Sequence, residues 1–64
     1  MDKLTKREQE ILEHLAKGLQ NNEISRKLHI TLSTVQNHIH KIYKKLGVRN
    51  RTEAAKKYWK GIPS

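Results

Sequence analysis

At 64 residues, with 34% hydrophobic residues and no cysteine, the chain has room for one small domain that neither disulfides nor thiolate metal sites can reinforce. A domain of this size buries only about 60% of its unfolded surface, so three or four short helices around one core is the ceiling, with little room for a large substrate cavity. The formal net charge is +8 and uneven: residues 1–25 hold four Lys or Arg against five Asp or Glu, whereas residues 26–64 hold ten against one. Self-repulsion of that size destabilises a small domain, so the gradient points to a polyanionic partner, unless the lysines serve only solubility. No apolar run approaches the roughly 18 residues of a membrane span, and the N-terminus lacks the apolar stretch of a signal peptide. A soluble chain is expected, and the absence of cysteine suits a reducing compartment.

Thr5-Lys6-Arg7-Glu8 has the spacing of a capping box, so a first helix is predicted over 5–17. Leu4, Ile11, Leu12, Leu15 and Ala16 form its apolar stripe, and Lys6, Arg7, Glu10, Glu13, His14 and Lys17 face water. Gly18 ends the helix as a left-handed cap, with Leu19 folding back as the apolar contact after it. A second, shorter helix is predicted over 21–28, started by the cap-forming Asn21 and Asn22 and buried through Ile24 and Leu28. Ser25 on its face allows a neighbouring helix to cross closely. His29, a residue that tolerates positive φ, then Ile30 and the N-cap Thr31 make a very short turn, which gives the outline of a helix-turn-helix.

The third helix, 32–46, has two opposed faces. Leu32, Val35, Ile39, Ile42 and Leu46 recur at helical steps and are expected to be buried. Ser33, Gln36, Asn37, His40, Lys41 and Lys44 share the other side, with hydroxyl and amide groups first and ammonium groups later. Base edges require directed hydrogen bonds and phosphates require charge, so this order matches a helix inserted in the major groove. Gly47 and Val48 end the helix as Gly18 and Leu19 end the first. Asn50-Arg51-Thr52-Glu53 reads as a second capping box opening a fourth helix over 51–60, with residues 61–64 as a frayed tail. Of its aromatics Tyr58 and Trp59, one can lid the core and both cannot. The expected fold is therefore all-α, a single domain over 1–64 of four short helices with a central helix-turn-helix, without repeats or linkers.

The blocks L-T-K-R-E-Q-E-I-L at 4–12, A-K-G-L-Q-N-N-E-I at 16–24, T-V-Q-N-H-I-H-K-I-Y-K-K-L-G-V at 34–48 and R-T-E-A-A at 51–55 keep a recognisable order and spacing. Through them the chain resembles the DNA-binding domain of the LuxR/FixJ family of bacterial transcription regulators, the module also found alone in GerE-like proteins. The resemblance runs from Leu4 to about Trp59. It implies cytoplasmic, nucleoid-associated binding of double-stranded DNA, with the third helix in the major groove and the fourth pairing with its copy in a homodimer. Gln36, Asn37 and His40 match the family's base-contacting positions. Thr34, Lys41, Lys44, Asn21 and Asn22 match positions near the phosphates, to which Ser33 is added as a hydroxyl donor on the same face. Ala54, Lys57 and Tyr58 lie where the family's dimer contact is made. The chain departs from the family's usual residues at Gln36 and Asn22, where Lys is common, at Gln20, where Ser is favoured, and at Ser25, where Ala is usual. The departures leave more of the recognition to amide hydrogen bonds, with Gln36 or Asn37 a bidentate partner for adenine. The target sequence does not carry over.

His38 and His40 do not suggest a metal site, because residues two apart point about 200° apart around a helix. No cofactor or small-molecule ligand is expected. His40 is assigned to the groove, and His38 to a structural or phosphate-contacting role at the border of the core stripe. No nucleophile, base and orienting group assemble, so no catalytic residue is expected and the chain is read as a non-enzyme. The lysines of the fourth helix are either a solvated face or a contact to DNA backbone. A second reading is a sigma-factor-like module that acts by docking on RNA polymerase; the basic third helix opposes it, since protein interfaces deplete lysine at their centres. A membrane-active peptide is more distant still, because capped helices sharing a core hide the apolar faces it would need.

Overall fold

The computed structural model describes residues 3–61. They form α1 (Lys6–Ala16), α2 (Asn21–Leu28), α3 (Leu32–Leu46) and α4 (Arg51–Trp59), with no strand among the described residues. The all-α class holds, and every helix boundary falls within one residue of the range read from the sequence. Residues 62–64 of the expected tail lie outside the described residues.

The four helix starts are local chemistry. The Thr5 hydroxyl accepts from the Glu8 amide at 3.1 Å while the Glu8 carboxylate accepts from the Thr5 amide at 2.8 Å, the reciprocal box expected for α1. Thr31 caps α3, its hydroxyl accepting from the Thr34 amide at 3.1 Å. Two starts differ from expectation. The cap of α2 is Gln20, with Asn21 already helical, and the Glu23 carboxylate accepts from the Gln20 amide at 2.8 Å. A strong acceptor at the third helical position thus compensates for a residue that caps poorly by itself. At α4, the Asn50 side chain accepts from the Glu53 amide at 2.9 Å, but the Glu53 carboxylate reaches one residue further back, to the Arg49 amide at 2.8 Å.

Three helix ends repeat one solution. Gly18 (φ 94°), His29 (φ 56°) and Gly47 (φ 69°) turn left-handed after α1, α2 and α3. The following residue then donates its amide five positions back: Leu19 to His14, Ile30 to Ser25 and Val48 to Tyr43, at 3.0–3.1 Å. Leu19, Ile30 and Val48 pack against the core, so each reversal is both hydrogen-bonded and sealed by apolar contact. This brings α3 into place only three residues after α2.

The core is Leu4, Ile11, Leu12, Leu15, Ile24, Val35, Ile39, Ile42 and Ala54, contributed by the N-terminal strap and all four helices. Both α1 and α3 pack on each of the other helices, whereas α2 and α4 do not pack on one another. Leu32 corrects the expected stripe: it is 39% exposed, while Val35, Ile39 and Ile42 are buried. It is the first residue of α3 and is not among the hydrophobic side chains packed against the core. Tyr58 packs against the core and Trp59 is 63% exposed, so one aromatic lids the core and the other does not. Their rings meet edge to face at 5.1 Å.

Glu8 is the one buried charged side chain among the described residues, 2% exposed. Besides capping α1, its carboxylate accepts from Lys45 Nζ at 2.7 Å, and the same ammonium donates to the Lys3 carbonyl at 3.2 Å. Burial pushes the Glu8 carboxyl up, but the hydrogen bonds from Lys45 and Thr5 and the charge of Lys45 outweigh it and hold the group below its usual value of 4.5. The pair ties the last turn of α3 to the first turn of α1. The ion pairs Arg7–Glu10 and Glu13–Lys17, by contrast, lie on the exposed side of α1.

Candidate nucleic-acid interface

The sealed face of α3 leaves the other face to solvent. Ser33, Gln36, Asn37, His40, Lys41 and Lys44 are all exposed, and no part of the described chain covers them. Along this face the amides come in the first half of the helix, the His40 imidazole just past its middle and the ammonium groups after it, and α3 carries no acidic residue. From Ile24 to Thr52 the sequence holds no Asp or Glu at all. The Glu8 charge meets this basic stretch only at Lys45, on the flank of the helix. The surface therefore carries no acidic group of its own helix, with neutral hydrogen-bonding side chains at one end and positive charges at the other. Such a surface can bind a polyanion and still discriminate along it.

The remaining candidates are not equally free. Thr34 is half-buried and its hydroxyl lies 2.8 Å from that of Thr31, so it is partly committed to the turn. His38 is half-buried, at the border of the core stripe as expected. Asn22 is exposed, whereas Asn21 is half-buried and its side-chain oxygen accepts from Arg51 Nη1 at 3.4 Å. Arg51 Nη2 also donates to the Leu19 carbonyl. Sequence reasoning missed Arg51, because its partners lie 30 and 32 residues away and no local pattern announces them.

On α4, Lys57 is exposed and Tyr58 half-buried, but Ala54 is 0% exposed. Its methyl group is enclosed by the core of its own molecule, which corrects its expected place in a dimer contact. An open groove between α1 and α4 is lined by Leu4, Gln9, Leu12, Glu13 and Tyr58, with no residue of α3. Among the described residues no group of three or more His, Cys, Asp or Glu could hold a metal ion. Among the described residues no helix is long and apolar enough to cross a membrane.

The sequence profile of the bacterial regulatory proteins of the luxR family, also called GerE, matches residues 2–58. The chain belongs to the luxR family. Within that family it is 56% identical over 52 residues to the transcriptional regulatory protein LnrK of Bacillus subtilis, covering 81% of this chain and 24% of LnrK. It is 51% identical over 51 residues to the CsgBAC operon transcriptional regulatory protein of Escherichia coli, covering 80% of this chain and 24% of that protein. The response regulator VraR of Staphylococcus aureus matches with the same identity and the same coverage. Among solved structures, the response regulator ChrA of a heme-sensing two-component system superposes with a TM-score of 0.83 at 46% identity, over 88% of this chain and 28% of ChrA. The chain thus spans about a quarter of the length of these luxR-family relatives.

Proposed function

We propose that this chain binds double-stranded DNA sequence-specifically in the cytoplasm, as the output domain of a transcription regulator, with α3 in the major groove. The observation that carries this reading is the outer face of α3: six exposed polar or basic side chains on a helix whose opposite face is anchored in the core. Gln36, Asn37 and His40 read base edges. Ser33, Thr34, Lys41 and Lys44 hold the phosphates on either side, together with Asn21 and Asn22 at the first turn of α2. That the relatives are regulatory proteins supports this reading. Two chains pair through Lys57 and Tyr58 of α4, with the exposed Trp59 beside them, and place two α3 helices about one helical turn apart, roughly 34 Å.

Selection of bound sites from random duplexes tests the proposal, followed by a salt titration on the selected site. A consensus of two related half-sites is expected, with log K falling by about 0.9 per phosphate contact per log unit of salt. Binding without any enriched sequence, or with no salt dependence, sinks it.

A further inference from the structure

We infer that Arg51 is a positioning residue for DNA binding: its guanidinium holds the Asn21 side-chain amide with the –NH2 turned outward, as a phosphate donor at the start of α2. The inference rests on the proposed DNA binding and names a residue that acts without touching DNA.

Helices α2 and α4 do not pack on one another, and among the described residues the bond from Arg51 Nη1 to Asn21 Oδ1, at 3.4 Å, is the one hydrogen bond that joins them. Arg51 is itself fixed. It is the first residue of α4, directly after the Asn50 cap, it is half-buried, and its second nitrogen is committed to the Leu19 carbonyl in the turn before α2. A guanidinium has donors and no acceptor, so only the oxygen of the Asn21 amide can face it. The amide nitrogen must then point the other way. Asn21 is the first helical residue of α2, where the amides of the first turn and the helix dipole also favour an anion. An amide free to rotate would present its carbonyl oxygen to a phosphate part of the time. Arg51 removes that orientation.

The test is a double-mutant cycle on duplex affinity with the 64-residue chain, with thermal unfolding of each variant alongside. Arg51→Lys keeps the charge but cannot span both acceptors with a planar fork. Asn21→Ala and Arg51→Lys are each expected to weaken binding about five-fold on every duplex, the worth of one hydrogen bond, and the double variant to be no weaker than either single. Losses that multiply in the double variant overturn the inference, because Arg51 then acts independently of Asn21. Full affinity in Asn21→Ala overturns it as well, and leaves the proposed function standing. A wild-type chain that binds no duplex removes both. Should the Arg51 variant unfold, Asn21→Asp decides: it keeps an acceptor for Arg51 and turns a carboxylate oxygen outward. Retained thermal stability with binding weaker than that of Asn21→Ala supports the inference, and unchanged binding overturns it.

Discussion

At the scale of single residues, the outer face of α3 divides into two kinds of work that mutation can separate. Gln36 carries a fork of donor and acceptor that suits one base edge, whereas Lys44 is a mobile point charge. Gln36→Ala is expected to flatten preference at one base pair by about 1–3 kcal/mol while leaving other positions unchanged. Lys44→Ala is expected to weaken all duplexes alike and to lower the salt slope by about 0.9. Equal losses from both on every sequence would contradict the assigned roles. Glu8 acts differently, through the fold. Because its carboxyl is held below 4.5 in the folded chain, the ionised pair with Lys45 stabilises fully above that pH, and the contribution is lost as pH falls through the folded value. The unfolding midpoint should therefore drop below about pH 4.5, and drop less steeply in Glu8→Gln. Glu13, lowered by Lys17 on the surface, titrates in the same direction and keeps the Glu8→Gln curve from becoming flat.

At the scale of elements, the turn between α2 and α3 is the most constrained join in the chain, since it orients the reading helix. His29 sits there at φ 56° with its side chain exposed. A left-handed residue with a Cβ carries about 1 kcal/mol of strain that glycine does not. His29→Gly is expected to raise the unfolding midpoint by about 4–8 °C without weakening DNA binding, as read by calorimetry and a binding isotherm. A lower midpoint would mean that the imidazole contributes contacts that outweigh the strain. The helix starts teach a related point. Thr5, Thr31 and Asn50 were legible as caps because each carries the acceptor that its own first turn needs. At Gln20 the pattern was ambiguous, and the carboxylate of Glu23 decided the boundary.

At the scale of the whole molecule, four short helices share one small core, within extents of 28 × 20 × 19 Å. Ile42 lies at its centre on the inner face of α3, fully buried. Ile42→Ala should cost about 2–5 kcal/mol, a large part of the roughly 3–10 kcal/mol expected of a domain this size. Urea unfolding would register it as an earlier midpoint at unchanged slope. DNA affinity should fall only as far as the folded fraction falls; a larger loss in the folded protein would place Ile42 in the binding surface itself.

What the sequence determined by itself was of short range: helix limits, the caps at Thr5, Thr31 and Asn50, the left-handed reversals, and which side of α3 is oily. Those features depend on neighbours a few positions apart, and the apolar period survives into the core at Val35, Ile39 and Ile42. Tertiary structure decided the rest. It exposed Leu32, enclosed Ala54, set Glu8 against Lys45 across 37 residues, and brought Arg51 to Leu19 and Asn21. Periodicity reports the direction in which a side chain points. Burial and pairing depend also on what stands opposite it, and that is fixed only once distant segments of the chain pack together.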